Sequence, residues 1–286
     1  EPLAPGYGAA VAQALALMRA DPKLRKVVLS RSLVVAAGRE IDPLALAARL
    51  ARDETVTTFL ADLPADAAGR KRTLVGATPE LLIGKRGASI VSHPLAGSAR
   101  RSADPAADRA AARALEASDK DQREHAAVVE AILDTLAPLC SRLHAPAMPT
   151  CRATATMWHL GTRIEGTLKD PEVSVASLVA ALHPTPAVCG LPRGHARETI
   201  ADLETYDRGF YAGAVGWIDG NGDGDWYVSI RCAEIAGTQA RLYAGAGIVP
   251  GSDPDSETRE TSAKFLAMLD ALGISEHEGF VLGAAS

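Results

Sequence analysis

The stretch TLVGATPELLIGKRGASIVS (residues 73–92) decides the fold class. It contains three strand-like runs, at residues 73–77, 80–85 and 88–92, separated by connections of two residues. Connections this short join antiparallel strands, because a parallel crossover needs about a dozen residues or more. The stretch therefore predicts an antiparallel sheet.

Strand-like and helical patterns lie on both sides of this stretch. Alternation or continuous apolar runs predict strands at residues 26–36, 56–63, 153–168, 213–219, 225–235 and 240–249. Helical spacing of Leu, Ala and Met predicts helices at residues 8–20, 43–52, 105–139, 173–182, 194–203 and 256–272. No repeat or linker divides the chain. We therefore predict one α+β domain over residues 1–286, with large, mainly antiparallel β-sheets flanked by helices.

Composition excludes several classes of protein. The chain has 286 residues, with 30 basic and 35 acidic side chains and a net charge of −5, so it lacks the basic excess of a nucleic-acid binder. No apolar run reaches the roughly eighteen residues that a membrane helix needs. We expect a soluble, cytoplasmic protein with neither a nucleic-acid nor a membrane partner. Its oligomeric state stays open, with a monomer as the working expectation.

Common cofactor and nucleophile motifs are absent from the sequence. The cysteines show no CxxC pairing and the histidines no HExxH spacing, which argues against a zinc site. No GxSxG elbow and no Walker or Rossmann phosphate loop is present. The four cysteines are most simply explained as buried thiols in a reducing compartment.

Two pairs of acidic residues have helical spacing. Asp121 and Glu124 lie three residues apart in SDKDQREH, and Glu257 and Glu260 repeat that spacing, with Lys264 four residues later. Brought together, the two faces would make a four-carboxylate site, which needs a cation if it is buried and whose oxygen ligands suit Mg²⁺. The alternative is that each pair belongs to a solvated helix surface with a local ion pair.

Small residues follow two strand-like runs. AGS at residues 96–98 and AGAG at residues 244–247 leave backbone N–H groups bare, so that an anion could approach them closely. Ordinary turn glycines are the competing explanation.

Six longer motifs carry a resemblance to a known family. The chain resembles the chorismate-utilising enzymes from about residue 24 to residue 272, and within them it is most similar to the isochorismate synthases of siderophore and menaquinone pathways. The motifs are PLAGSARR (94–101), SDKDQREH (118–125), LHPTPAVCGLP (182–192), YDRGFYAGAVGW (206–217), SIRCAEI (229–235) and AGAGIVPGSDPDSETRETSAK (244–264).

The resemblance implies an acid–base pair and a metal. Lys26 matches the family's general base, which activates water to attack carbon two of the chorismate ring, and Glu80 matches the acid that protonates the hydroxyl leaving carbon four. For these roles the pKa of Lys26 must fall from its reference of about 10.4, and that of Glu80 must rise. Glu124 and Glu260 match the direct Mg²⁺ ligands, with Asp121 and Glu257 as water-bridged supporters.

The resemblance also implies a set of substrate contacts. Chorismate carries two carboxylates, which complement cations, Mg²⁺ and free N–H groups. The matching positions are Arg231 and Lys264 for the carboxylates, the backbones around Gly97, Ser98, Gly245 and Gly247, and the recurrent site position His159.

Product choice and chain length are the remaining expectations. Ala187, Val188 and Ile230 match plain isochorismate synthases, whereas Tyr211 matches salicylate synthases, which also eliminate pyruvate. Isochorismate is the expected product and salicylate the alternative. Lys26 favours water over ammonia, which argues against anthranilate and aminodeoxychorismate synthases. Family members have a further N-terminal segment that this sequence lacks, so a non-catalytic chorismate-binding module is a second alternative.

Overall fold

The computed structural model describes residues 4–274, and the ends of the predicted 1–286 domain lie outside them. The helices in this part of the chain are α1 (Ala4–Ala20), α2 (Pro43–Leu50), α3 (Pro105–Glu116), α4 (Asp119–Leu136), α5 (Val175–Leu182), α6 (Arg193–Leu203) and α7 (Pro254–Leu272). The strands are β1 (Lys26–Ala36), β2 (Thr57–Leu63), β3 (Arg72–Thr78), β4 (Leu81–Arg86), β5 (Ser89–His93), β6 (Leu95–Arg100), β7 (Cys140–His144), β8 (Thr150–Ala153), β9 (Met157–Gly161), β10 (Ile164–Leu168), β11 (Gly190–Leu191), β12 (Ala214–Gly216), β13 (Gly224–Val228), β14 (Cys232–Ala236) and β15 (Gln239–Ile248).

The strands form three antiparallel sheets. The first has the order β11-β1-β15-β14-β3-β2, the second β12-β13-β4-β5-β10-β7, and the third, which is smaller, β6-β9-β8. Neighbouring strands in all three sheets pair antiparallel. The predicted α+β class with mainly antiparallel sheets is confirmed.

The chain crosses between the first and second sheets at two neighbouring points. The chain passes from β3 to β4 at Pro79 and Glu80, and from β13 to β14 at residues 229–231. The prediction of one continuous strand over residues 225–235 is therefore wrong. Arg231 has a φ of 52°, a left-handed conformation that interrupts an extended strand and turns the chain between the sheets.

Two other predicted elements are divided as well. The long helix predicted over residues 105–139 is two helices, because Ser118 caps α4 by accepting a hydrogen bond from the backbone N–H of Asp121. The strand predicted over residues 153–168 is two strands in different sheets, β9 and β10. The other predicted helices and strands overlap observed ones.

One hydrophobic core is shared by the two larger sheets. It contains Leu74 and Cys232 from the first sheet, Ile83 and Val228 from the second, and Ile132 from α4. This shared core supports one domain, which we keep as a proposal. Within residues 4–274, none of the helices is both long enough and apolar enough to cross a membrane.

One acidic pair lies on helix α4 and the other on helix α7. The buried face of α4 packs Val128 and Ile132 into the shared core, while α7 packs Phe265 and Leu269 against the first sheet. Both helices begin at capping residues, Ser118 for α4 and Asp253 for α7. The acidic residues of each helix therefore lie near its N-terminal end.

Candidate active site

Most of the predicted site residues line one cavity. It lies where β1, β15, β6 and the two crossings between the larger sheets meet. The predicted residues that line it are Glu80, Gly97, Ser98, Glu124, His159, Ala187, Tyr211, Arg231, Gly245, Gly247, Glu260 and Lys264. The other three, Lys26, Asp121 and Glu257, are packed behind this wall.

Glycines on β15 make room for the cavity. Val28 on β1 pairs with Gly247, and Ser30 pairs with Gly245. Because glycine has no side chain, each of these two positions leaves a gap on the sheet surface beside β1. A Cβ on Gly247 would overlap the carboxylate of Glu124 and lie 2.9 Å from Cε of Lys26. Side chains of predicted site residues occupy these gaps. They can approach the backbone of β15 this closely only because the residues there are glycines.

Lys26 begins β1 and is buried, with 1% of the residue exposed. Its Nζ lies 3.1 Å from Oε1 of Glu124. The contact is an ion pair without hydrogen-bond geometry, since no hydrogen-bond partner is found for Nζ among residues 4–274. The predicted base and a predicted metal ligand are thus direct neighbours.

Glu80 is buried at the crossing between β3 and β4. Burial raises the pKa of its carboxyl to about 7, against the opposing effects of the Leu95 backbone N–H and the charges of Lys26 and Arg231. At pH 7 a carboxyl with this pKa is protonated in about half of the molecules. It can therefore act as a general acid, as the sequence analysis required of it.

Two cationic side chains, Arg231 and Lys264, also line the cavity. Nη2 of Arg231 lies 3.4 Å from Nε2 of His159, and Lys264 donates hydrogen bonds to the Gly245 carbonyl at 2.8 Å and to Glu260 at 2.6 Å. Burial and the charges of Arg231 and Lys264 hold the pKa of His159 well below its ordinary value. His159 is therefore neutral, and the positive charge belongs to Arg231 and Lys264.

The four predicted metal-binding carboxylates influence one another across the two helices. Burial and the charge of Glu260 raise the pKa of Glu257, and burial, with Glu124 and Glu260 contributing, raises that of Asp121. Burial also acts to raise the pKa of Glu260, but Lys264 and Lys120 outweigh it and lower that pKa. The structure thus brings the two acidic faces together, and it excludes the alternative of two separate solvated surfaces.

A lysine that the sequence analysis overlooked lies among these carboxylates. Nζ of Lys120 donates a hydrogen bond to Oε1 of Glu257 at 2.8 Å and lies 3.8 Å from both Glu124 and Asp121. The available signal was its place in SDKDQREH, four residues before Glu124 on the same helix. Lys26 pairs with Glu124 and Lys264 with Glu260, whereas Lys120 contacts two glutamates of the cluster.

The cluster fits a hard divalent cation by its chemistry. Its donors are carboxylate oxygens, which Mg²⁺ prefers, and the buried Oε2 of Glu257 receives no hydrogen bond from the residues described. In the same part of the chain, however, no three metal-ligating side chains are gathered around one point. In this structure the glutamates form ion pairs with the ammonium groups of lysines.

Tyr211 and the segment around Ala187 form the apolar side of the cavity. The ring of Tyr211 stacks on Tyr243 at a centroid distance of 5.1 Å. The guanidinium of Arg208, which the sequence analysis did not single out, donates to the carbonyls of Val28 and Val188 and pairs with Glu204. Arg208 thereby joins β1 to this wall.

The cavity is small in this structure, at about 50 Å³. Small-molecule sites typically measure several hundred Å³, about 300 or more, so the lining side chains must move to admit a ring-sized ligand. A larger cavity of about 640 Å³ lies on the other side of Arg231, lined in part by Arg49, Asp53 and Asp270. It is lined by neither Glu80 nor Glu124, both of which line the smaller cavity, so we propose the smaller cavity as the place of the chemistry.

The chain is similar to known proteins over most of its length. Residues 2–273 match the family model described as chorismate binding enzyme. Isochorismate synthase DhbC of Bacillus subtilis (strain 168) is 49% identical over 270 residues, which cover 94% of this chain and 68% of that protein. The chain therefore spans about two thirds of that relative's length.

Solved structures are similar over the same region. The crystal structure of a putative 2,3-dihydroxybenzoate-specific isochorismate synthase, DhbC from Bacillus anthracis, superposes with a TM-score of 0.93 at 47% identity, covering 96% of this chain and 73% of that one. The menaquinone-specific isochorismate synthase MenF from Escherichia coli gives a TM-score of 0.82 at 30% identity, covering 95% and 61%.

Proposed function

This chain belongs to the chorismate-binding enzyme family, and on that premise we propose that it is an Mg²⁺-dependent isochorismate synthase. The reaction moves a hydroxyl group from carbon four to carbon two of the chorismate ring. It is an isomerisation, because one water enters and one water leaves. No redox step and no organic cofactor is needed.

The observation that carries the proposal is Glu80. A buried carboxyl whose pKa is raised to about 7 lies on the same cavity wall as Arg231 and Lys264. Acid catalysis on a dianion needs this combination, namely a group that keeps its proton at neutral pH and cations that hold the carboxylates.

The two proton transfers are assigned to Lys26 and Glu80. In its neutral amine form, Lys26 would accept a proton from the water that attacks carbon two, and Glu80 would donate its proton to the hydroxyl that leaves carbon four as water. The ring double bonds shift between these positions, so the substrate neither gains nor loses atoms. Burial of both groups keeps other water away from the proton transfers.

The remaining lining residues bind and orient the substrate. Arg231 and Lys264 pair with its carboxylates, and the N–H groups around Gly97, Ser98, Gly245 and Gly247 are candidate donors. His159 is neutral and can accept or donate one hydrogen bond, while Tyr211 and Ala187 shape the apolar side.

We assign the metal to the acidic cluster between α4 and α7. Glu124 and Glu260, which line the cavity, would be the direct ligands of Mg²⁺, with Asp121 and Glu257 behind them as water-bridged supporters. A bound Mg²⁺ supplies positive charge for the ring carboxylate and neutralises the excess of buried carboxylates.

The salicylate alternative is not favoured. The relatives described above are named isochorismate synthases. Elimination of pyruvate would require the substrate to be held in one conformation, and Tyr211 adds a single hydroxyl toward that end. The pathway served stays open between the siderophore and menaquinone branches. The single domain, the monomeric state and the cytoplasmic location also remain proposals.

The decisive experiment is incubation of the purified protein with chorismate and Mg²⁺, with all products separated and identified. We expect isochorismate, formed only when the metal is present. Glu124→Gln and Glu260→Gln should lose metal affinity and turnover while staying folded, whereas Glu198→Gln, at an exposed position on α6, should behave as the wild type.

Other outcomes would reject the proposal or part of it. Stoichiometric pyruvate and salicylate would assign the chain to the salicylate synthases. Binding of chorismate without turnover would favour a non-catalytic module. Normal activity and metal dependence in both Gln variants would exclude the four-carboxylate site.

A further inference from the structure

Lys120 occupies an unusual position among the acidic residues of the cluster. Its single ammonium group lies within 4 Å of carboxylate oxygens from Asp121 and Glu124 on α4 and from Glu257 on α7. The contact with Glu257 is a hydrogen bond of 2.8 Å that joins the two helices. No other lysine of the cluster touches carboxylates from both helices among the ion pairs of residues 4–274.

The other two lysines are committed to the cavity. Lys264 lines it and donates to the Gly245 carbonyl, and Lys26 lies beside Gly247 at the wall. Lys120 is absent from the cavity lining, as is Glu257. Its ion-pair partners are carboxylates of the cluster, and we assign it no proton transfer to the substrate.

The negative charge of Glu257 is only partly balanced by neighbouring cations. The residue is 2% exposed, and its Oε1 is held by Lys120 while its Oε2 lacks a hydrogen-bond partner within residues 4–274. A buried carboxylate with one free oxygen can take a further cation. The carboxylates that the ammonium group of Lys120 contacts are three of the four that we assign to the divalent cation.

We propose that Lys120 is a positioning residue that serves as the resident cation of the metal-free cluster and competes with the divalent cation for Asp121, Glu124 and Glu257. This inference rests on the proposed Mg²⁺ requirement. In the absence of metal, Lys120 holds the N-terminal ends of α4 and α7 together. When the divalent cation binds, Lys120 gives up its contacts with these carboxylates and its side chain, 24% exposed, turns toward solvent.

The competition should change the affinity for the divalent cation by a measurable factor. A unit positive charge about 6 Å from a divalent cation, in water-like surroundings, weakens its binding by about tenfold. Removing the charge of Lys120 should therefore strengthen metal binding by about tenfold or more. A side chain that merely supports the fold of the metal site would change affinity in the opposite direction.

The test is a titration of the substrate-free protein with Mn²⁺, in which calorimetry measures the binding affinity. Lys120→Met should bind Mn²⁺ about tenfold more tightly than the wild type, and Lys120→Arg, which keeps the charge, should bind as the wild type does. Lys71→Met is the matched control, because it removes the same charge from an exposed position in the connection between β2 and β3. It should leave affinity unchanged.

A second measurement needs no variant and covers the case in which Lys120→Met does not fold. Wild-type protein is treated with acetic anhydride with and without Mg²⁺, and the modified lysines are quantified by peptide mass spectrometry. Acetylation of Lys120 should become at least about threefold faster with Mg²⁺, because its ion pairs are released, while acetylation of Lys71 should not change.

The outcomes separate this inference from the proposed function. Unchanged or weaker Mn²⁺ binding by Lys120→Met, or equal acetylation of Lys120 in both conditions, overturns the competition and leaves the metal requirement intact. Absence of Mn²⁺ binding by the wild type overturns both. Tighter binding by Lys120→Met that is lost again in Lys120→Met combined with Glu260→Gln supports both.

Discussion

Glu80 and Arg231 lie side by side where two paired strands pass from one six-stranded sheet to the other. The Glu80 carbonyl accepts a hydrogen bond from the N–H of Val228, at 3.1 Å, and the Arg231 carbonyl accepts one from the N–H of Ala77, also at 3.1 Å. Each crossing is thus tied to the neighbouring chain.

This arrangement explains how an acid and a cation come to share one cavity. Strands β3 and β14 pair in the first sheet, and β4 and β13 pair in the second, so the two crossings are neighbours by construction. The chain bends at both points, and the side chains there are not part of either regular sheet. Glu80 and Arg231 are held by backbone hydrogen bonds, which favours fixed geometry over mobility.

Glu80→Gln should lower kcat by about a hundredfold or more, as expected for the loss of a positioned acid. Because only the protonated carboxyl can donate, kcat/KM of the wild type should fall as pH rises above about 7, the pKa of Glu80 in the free protein. The variant should lack this alkaline limb. Rates measured from pH 5 to 9 for both proteins test it, and an unchanged limb in the variant would assign it to another group.

The same carboxyl makes stability depend on pH. The folded state holds the Glu80 proton more tightly than the unfolded state, so its contribution is present below pH 4.5 and is lost as pH rises to about 7. The free energy of unfolding should fall by at most about 3 kcal/mol from this group across that window. Glu80→Gln should reduce the slope of a series of urea unfolding curves between these pH values. An identical slope would contradict the assignment.

Lys26→Ala should lower turnover by about a hundredfold or more and affect substrate affinity less, because the base acts in the chemical step. Lys85→Met is a suitable control. Lys85 is also a lysine with 1% exposure and a carboxylate partner, but that partner, Asp223, does not line the cavity, whereas Glu124, the partner of Lys26, does. It should lower the melting temperature while the folded fraction keeps its kcat. Wild-type turnover by Lys26→Ala would remove that residue from the mechanism.

Gly247→Ala should inactivate the protein with little loss of stability. The added methyl group meets the end of the Glu124 side chain, which can move aside, but only by leaving its position next to Lys26. Displacement of a catalytic group by about 1 Å can cost about a hundredfold in rate. Gly38→Ala is the control, since a Cβ there meets nothing within 4 Å. The melting temperature and kcat of both variants test this prediction. A normal kcat in Gly247→Ala would show that activity does not require Glu124 to keep its position next to Lys26.

Tyr211→Phe should leave isomerisation nearly intact. Its ring packs on Tyr243, and the phenylalanine ring keeps that contact, while the lost hydroxyl lies beside Gly245 at the cavity. If the wild type releases a trace of salicylate besides isochorismate, the variant should release none. Chromatography of the products tests this, and a large loss of isochorismate formation in the variant would give the hydroxyl a role in the main reaction.

Local sequence determined the elements and their class. The strand-like run over residues 26–36 predicts β1 with its observed bounds, and the short connections of residues 73–92 predict antiparallel pairing. The spacing of Asp121 with Glu124 and of Glu257 with Glu260 predicts that each pair shares a helix face. These features depend on neighbours a few residues away, so the sequence carries them directly. The family motifs added the identity of the site residues.

Only the tertiary structure decided which sheet each strand joins and which charges meet. The pattern over residues 225–235 predicts one strand, and its division at Arg231 follows from a left-handed φ that the pairing of distant strands imposes. The pairing of Lys120 with Glu257 joins residues 137 positions apart. Its energy depends on burial and on the approach of two helices, and neither quantity is encoded in the residues next to Lys120, which is why the sequence predicted the carboxylates but not the ammonium group between them.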